Sequence, residues 1–338
     1  RRFLQFTISS PLDSLPYNPL KNGSVTEIRD SLMSSLNSSE PFYKNKALEY
    51  LDKVIPAVRL IYGHVSISQL RRILQQREEQ ARLIKEITKT DVPSRAEILS
   101  SLQMIFSTDA KILSGLSSQL ASLDNYEYGN LLSPEKDAEQ IDLVEAIGSH
   151  AVVYFDVNIQ LSRESSIATG KLILEDLKAV SGSISSGKIK RPECMNLFID
   201  EAACIVDVGF IDFLTKCRSS CFAVNMFVQT IAAFDELGSA FKAQLMACTT
   251  TKIIGRLDES RSVDDICAVA GSYDSFTESY QTQKSLFGSS EKTGNGNYRE
   301  AKKMRLEHDV VKQLESFTVV VIQKNPFKLD LIEIFREF

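Results

Sequence analysis

The sequence has no tryptophan and only three histidines, His64, His150 and His308, scattered along 338 residues. That scatter argues against a histidine-rich metal centre and against hydrolases that use histidine as their base. Six cysteines stand at 194, 204, 217, 221, 248 and 267, none in a C-x-x-C pair, most within apolar segments. They read as free buried thiols of a reducing compartment rather than as a disulfide framework. No apolar run approaches the ~20 residues that a membrane helix needs. Nowhere does G-x-x-x-x-G-K-[ST] occur, so the chain carries no sequence for the backbone cradle that holds nucleotide phosphates. "SGSISSGK" and "SSEKTGNGN" contain glycine and lysine, but neither lies between a strand and a helix at the right spacing. The net charge of -5 gives no general pull toward nucleic acid or anionic membrane; a polyanion would need a local basic patch. No signal-peptide pattern opens the chain, and it begins with Arg1 rather than Met, so a piece of a longer protein is expected.

What is present has three textures. "RFLQFTI" alternates and reads as a short strand, followed by the turn signals of "LPYNPL". From about 25 to 140 the period is helical. Leu48, Leu51, Ile55 and Val58 share a face that Pro56 kinks or interrupts. Ser66-x-x-Gln69 opens a long helix through Leu70, Leu74, Ala81 and Ile84. Ser94-x-x-Glu97 opens another, and Ile112, Leu116 and Leu120 define the next. After about 145 strand and helix alternate. "HAVVYFDV" precedes a helix over roughly 158–181. "MNLFID", "FAVNMFV" and "TKIIGRL" are strands, with helices near 208–219, 236–248 and 261–270. This alternation predicts βαβ units and a mostly parallel sheet covered on both faces. Residues 272–300, rich in Ser, Thr, Gln, Lys and Gly, read as a mobile surface loop. "FTVVVIQ" and "KLDLIEIF" read as a terminal hairpin at the sheet edge.

In "NLFIDEAACI" an apolar strand runs into Asp200 and Glu201. Ligands of open α/β sheets bind at the carboxyl ends of strands. Two carboxylates there suit nucleotide hydrolysis: one faces Mg²⁺ through water, and the next polarises the attacking water. The same pattern also arises as a helix N-cap with an acidic first turn. Gln229 ends the next strand, where a γ-phosphate sensor would stand; the plain alternative is a turn glutamine. Arg218 closes the intervening helix in "LTKCRSS". It reads either as a cation at a helix C-terminus or as an arginine finger, with Lys216 the nearest basic substitute.

The segments "NLFIDEAACI", "FLTKCRSSCFAVNMFVQTIAAFDELG" and "AQLMACTTTKIIGRLDESRSVDDICAVAG" resemble the type IV coupling proteins, the TraD/TraG-like DNA-transfer ATPases of conjugation and type IV secretion. "YNPL" near the start and "AVVYFDV" before a long helix fit the same family. The resemblance implies a RecA-like P-loop ATPase core, α/β with a mostly parallel sheet, and an inserted all-α domain. Residues 1–24 would begin the nucleotide-binding domain, 25–140 would be the all-α domain, and 141–338 would complete the nucleotide-binding domain around the flexible loop 272–300. It implies ATP and Mg²⁺ as cofactors. Asp200 would handle the metal, Glu201 would activate water, and Gln229 would sense the γ-phosphate. Arg218 would be a finger acting on a neighbouring subunit, and Arg256, more weakly, a contact to DNA or to a subunit. It further implies a hexameric ring and single-stranded DNA with its relaxosome, or effector proteins, as cargo. Other secretion components would be partners, and an upstream segment would anchor the protein in the bacterial inner membrane with this part in the cytoplasm. The phosphate-binding lysine of the family has no counterpart here, so the chain alone is expected to be inactive. A non-catalytic docking module of the same machinery is the first alternative. A RecA-like DNA pump of the HerA/FtsK kind is the second; those motors lack the helical insertion at 25–140.

Overall fold

The computed structural model describes residues 2–36, 40–107, 111, 113–125, 128–284 and 290–334, with backbone alone over 277–298. The chain divides into two compact units, 1–227 and 228–338. The division falls inside the span that the sequence assigns to one domain, 141–338.

The first unit begins with β1 (Phe3–Thr7). A run of helices follows: α1 (Val25–Ser35), α2 (Pro41–Tyr62), α3 (Ile67–Gln75), α4 (Arg77–Lys89), α5 (Arg95–Phe106), α6 (Ser114–Leu123), α7 (Gly129–Leu132) and α8 (Leu143–Gly148). Every described element between 25 and 148 is helical. Next come β2 (Val152–Asp156), α9 (Arg163–Ser185), β3 (Met195–Ile199), α10 (Ala202–Ile205), α11 (Phe210–Lys216) and β4 (Phe222–Met226).

Local chemistry accounts for some of the helix starts. Ser24 and Glu27 form a reciprocal capping box at α1, and Ser66 and Gln69 form one at α3. Replacing Ser66 by Ala leaves an orphan donor and is expected to cost about 1 kcal/mol in a urea unfolding series. Ser94 makes no such cap on α5; its backbone turns inward instead of staying extended. Pro56 does not interrupt α2, which runs 22 residues and buries Leu51, Ile55 and Val58. The long helix expected from Ser66 onward is broken at Gln76, whose extended backbone (φ -116, ψ 115) separates α3 from α4. The break resets the helical phase. Leu83 and Ile87 are therefore the buried residues of α4, and Ala81 and Ile84 are not. On α6, Leu116 and Leu120 are buried as expected, whereas Ile112 lies outside the described residues.

The strands of this unit form two parallel pairs rather than one wide sheet. β1 pairs with β2, Phe3 opposite Val152. β3 pairs with β4, Met195 opposite Phe222 and Ile199 opposite Met226. Helix α9 packs against α1, α6 and α10.

The second unit holds α12 (Ser239–Cys248), β5 (Thr251–Ile254), α13 (Ser260–Ala270), β6 (Ser272–Lys284), β7 (Ser290–Met304), α14 (His308–Lys312), β8 (Thr318–Gln323) and β9 (Lys328–Glu333). Its pairings are antiparallel throughout the described residues, in the order β5-β8-β9 and in the β6-β7 ribbon. The mostly parallel sheet expected over 141–338 therefore does not extend into this unit. "FTVVVIQ" and "KLDLIEIF" pair as the hairpin β8–β9, and in β8 only Val320 and Ile322 are fully buried, against Val263, Ile266 and Val311. The other face carries the partly exposed Val319 and Val321. The expected loop at 272–300 is the second correction. Its backbone pairs from Ser272↔Met304 to Lys284↔Ser290, and residues 285–289 lie outside the described ones. Threonine and tyrosine favour strands. A polar ribbon lacks the apolar alternation by which strands are read from sequence.

Candidate functional site

The geometry around Asp200 follows from the β3–β4 ladder. In a regular parallel pair, Phe227 would bond Ile199 and residue 201. Here Phe227 N–H donates to Ile199 O at 2.9 Å, but Phe227 O accepts from Ala202 N–H at 3.0 Å. One extra residue is accommodated on the β3 side, in the manner of a bulge. Glu201 is that residue, with left-handed backbone (φ 47, ψ 42). Its N–H, released from the ladder, donates to Asp200 Oδ1 at 3.0 Å. Both side chains are exposed, while Ile199 and Ala202 on either side are buried. Two carboxylates are thus presented to solvent at the carboxyl end of β3, held by buried neighbours. With Oδ1 engaged by Glu201, Asp200 keeps Oδ2 for an external partner. Among the described residues no group of three or more His, Cys, Asp and Glu side chains forms a metal cage. A single open carboxylate oxygen fits Mg²⁺ that retains its water shell and takes other ligands from phosphates.

Arg218 lies in the turn between α11 and β4, exposed and with no ion pair among the described residues. It precedes the amino end of β4, whereas Asp200 follows the carboxyl end of the parallel β3. The five residues of β4 separate the two ends by roughly 16 Å at about 3.3 Å per residue. Arg218 is not brought to the Asp200 of its own chain. Lys216, at the end of α11, shares that far side. Gln229 lies three residues beyond β4, exposed, and belongs to the second unit. Arg256 follows β5 in the second unit, its Nε 4.0 Å from Asp258, with both side chains mostly exposed.

The "YNPL" stretch ties the first unit together in a way the sequence did not reveal. Tyr17 is 1 % exposed, and its hydroxyl donates to Asp176 Oδ2 at 2.6 Å. Asn18 Nδ2 donates to Val65 O, just ahead of α3, and Asn18 Oδ1 accepts from Leu20 N–H. The motif thus joins the start of the chain to α9 and to the helical run. Asp176 was legible in principle: it is a carboxylate in phase with the buried Leu172, Ile173 and Val180 of α9. Burial pushes its carboxyl up to about 7, a rise that the Tyr17 hydrogen bond only partly offsets. The Tyr17 phenol is likewise pushed up, by burial first and then by the nearby carboxylate. The folded state therefore holds a proton on Asp176 that the unfolded chain releases near pH 4, so this group stabilises less as pH rises through 7. We expect the unfolding free energy of the first unit in urea to rise on going from pH 8 to pH 5.5, by about 2 kcal/mol at most. Asp176→Asn should flatten that pH dependence.

Among curated proteins none matches this chain in sequence. Solved structures share the fold. The bacterial conjugative coupling protein TrwB, unbound and lacking its first 70 residues, is 12 % identical with a TM-score of 0.64, over 100 % of this chain and 74 % of that one. The plasmid coupling protein TrwB in complex with ADP and Mg²⁺ is 13 % identical with a TM-score of 0.65, over 100 % and 75 %. VirB4 of Thermoanaerobacter pseudethanolicus is 11 % identical with a TM-score of 0.57, over 99 % and 77 %. No helix among the described residues is long and apolar enough to cross a membrane. In sequence, residues 195–316 match the TraG-D_C family model, described as the TraM recognition site of TraD and TraG. Residues 195–316 thus carry the sequence of that TraD/TraG region, within a chain that shares the fold of the solved coupling proteins.

Proposed function

We propose that this chain is part of the motor of a type IV coupling protein, which hydrolyses ATP to recruit and move DNA or protein cargo toward a secretion channel. The observation that carries this reading is the bulge at Asp200–Glu201, which presents two carboxylates at the carboxyl end of a parallel strand. Asp200 would hold Mg²⁺ through water, and bound MgATP would supply the phosphoryl group to be transferred. Glu201 would polarise the attacking water, its neighbour's oxygen already satisfied by its own backbone N–H. Gln229 would read the γ-phosphate, and Arg218 would serve an adjacent subunit in a hexameric ring. Arg256 would contact DNA or a neighbouring subunit. An inner-membrane anchor outside these residues, with this part in the cytoplasm, completes the proposal.

The sequence supplies no Walker A cradle. The chain of residues 1–338 by itself is therefore expected to hydrolyse ATP at background rate and to bind it weakly. Isothermal titration and a phosphate-release assay check this. A clear rate that Glu201→Gln abolishes would reveal a phosphate site elsewhere in the chain.

The family match favours a second role for the same chain, the recruitment of a relaxosome protein through residues 195–316. Titrating the chain with the TraM-type protein of its own system tests it. Binding that survives Glu201→Gln would separate docking from hydrolysis.

A further inference from the structure

A cavity of about 270 Å³ lies within the first unit, where the "YNPL" stretch, the end of α2 and the segment 134–140 meet. None of the hydrolytic residues lines it. Its walls carry Lys21, Arg59 and Lys136 against a single carboxylate, Asp137. Lys21 is paired with Asp142, which stands behind the wall, at 2.7 Å. One Nη of Arg59 donates to Gly23 O at 2.8 Å, a bond that fixes the guanidinium without neutralising it. Lys136 has no ion pair among the described residues and is exposed at the mouth. Even with Asp142 counted, the cavity keeps a surplus of positive charge.

The other walls narrow the class of ligand. Gln140 adds a side chain to the wall, but its Oε1 is closed off from the cavity and offers a ligand no acceptor. His64 has both ring nitrogens engaged. Its Nδ1 lies 3.1 Å from Tyr62 O and so bears the proton, while its Nε2 lies 3.1 Å from Gln69 Nε2 and so accepts. Leu20, Ile28 and Val65 supply an apolar floor. Gly63, in left-handed backbone (φ +70), leaves open the space beside Lys136: a Cβ there would stand 3.0 Å from Lys136 Nζ.

We infer that this cavity binds a small phosphate ester. Arg59 and Lys136, approaching from different elements, would meet the phosphate oxygens, which face several directions where a carboxylate's two lie in one plane. The carbon skeleton would lie against the apolar floor. The cavity, at about 270 Å³, has room for a small phosphate ester. The group has two possible sources, a free ester or the 5′ end of a nucleic acid strand.

The test is calorimetric titration of the 338-residue chain with ribose 5-phosphate and, separately, with a 5′-phosphorylated tetranucleotide. Ribose and the unphosphorylated tetranucleotide serve as controls. Saturable binding with a dissociation constant below about 1 mM is expected for at least one phosphate form, and the tighter of the two identifies the source. Lys136→Glu should weaken that binding at least tenfold. The same variant should leave the unfolding temperature near that of the parent. Lys136 sits beside the last turn of α2, so a purely structural cation would change the unfolding temperature and leave the ligand isotherm alone. No saturation by either phosphate form, equal binding of the unphosphorylated controls, or undiminished binding to Lys136→Glu would overturn the inference. None of these outcomes bears on the Asp200–Glu201 proposal, which concerns residues outside the cavity.

Discussion

Glu201→Gln in the full-length protein is expected to leave ATP binding nearly intact and to slow hydrolysis by two orders of magnitude or more. The amide keeps the size of the side chain and, in this fold, the backbone that presents it. The N–H of residue 201 still reaches Asp200 Oδ1, and Ala202 N–H still bonds Phe227 O. What the amide cannot do is draw a proton from water. General bases contribute about 10²–10⁴-fold, so the loss should appear in kcat and not in the nucleotide dissociation constant. Asp200→Asn should behave differently. It removes charge facing the metal and weakens Mg²⁺-dependent binding as well as turnover. Parental rates in both variants would return the pair to the role of a bulge at a strand end.

Arg218→Ala should cut turnover by ~10³-fold in the assembled protein with little loss of ATP affinity, because a finger acts on the transition state. The geometry makes this a demanding expectation. Arg218 is exposed, and it lies at the opposite end of the β3–β4 pair from Asp200, so its own chain gives it no access to the carboxylates. It can assist only a neighbour. Mixing Arg218→Ala with Glu201→Gln should then restore part of the activity, since some interfaces would pair an intact arginine with intact carboxylates. A cation that merely stabilises the end of α11 predicts about 0.3–1 kcal/mol of lost stability and near-normal turnover. Normal turnover together with absent complementation would send the search to other basic side chains, Lys216 first.

Helices with strong periodicity and caps were readable from sequence, because their determinants are local. The Ser66–Gln69 box and the buried face of α2 are cases in point. The Asp200–Glu201 pair was readable too, since an apolar strand running into two carboxylates is itself a local pattern. The bulge was not, because it is defined by which N–H of the next strand's partner is used, a fact about Phe227 as much as about Glu201. The polar β6–β7 ribbon was missed for a related reason. Its pairing comes from a partner strand, and a two-faced polar strand leaves no burial signature. The break at Gln76 shifted the phase of α4 against a pattern that reads smoothly through it. The Tyr17–Asp176 bond joins residues 159 positions apart, a distance over which no window of sequence reasoning operates.

The left-handed backbone at Glu201 sets persistence against work. For a residue with a Cβ that conformation costs about 1–2 kcal/mol, a penalty that glycine escapes. Glu201→Gly should therefore yield a protein that survives higher denaturant than the parent and turns over nothing. A lineage selected only for durability would drift toward glycine at this position, and one that keeps the acid does so against the pull of its own folding energy. In any collection of thermally hardened variants, a glycine at 201 would mark a molecule that has shed this strain and, on the role proposed for Glu201, its general base with it.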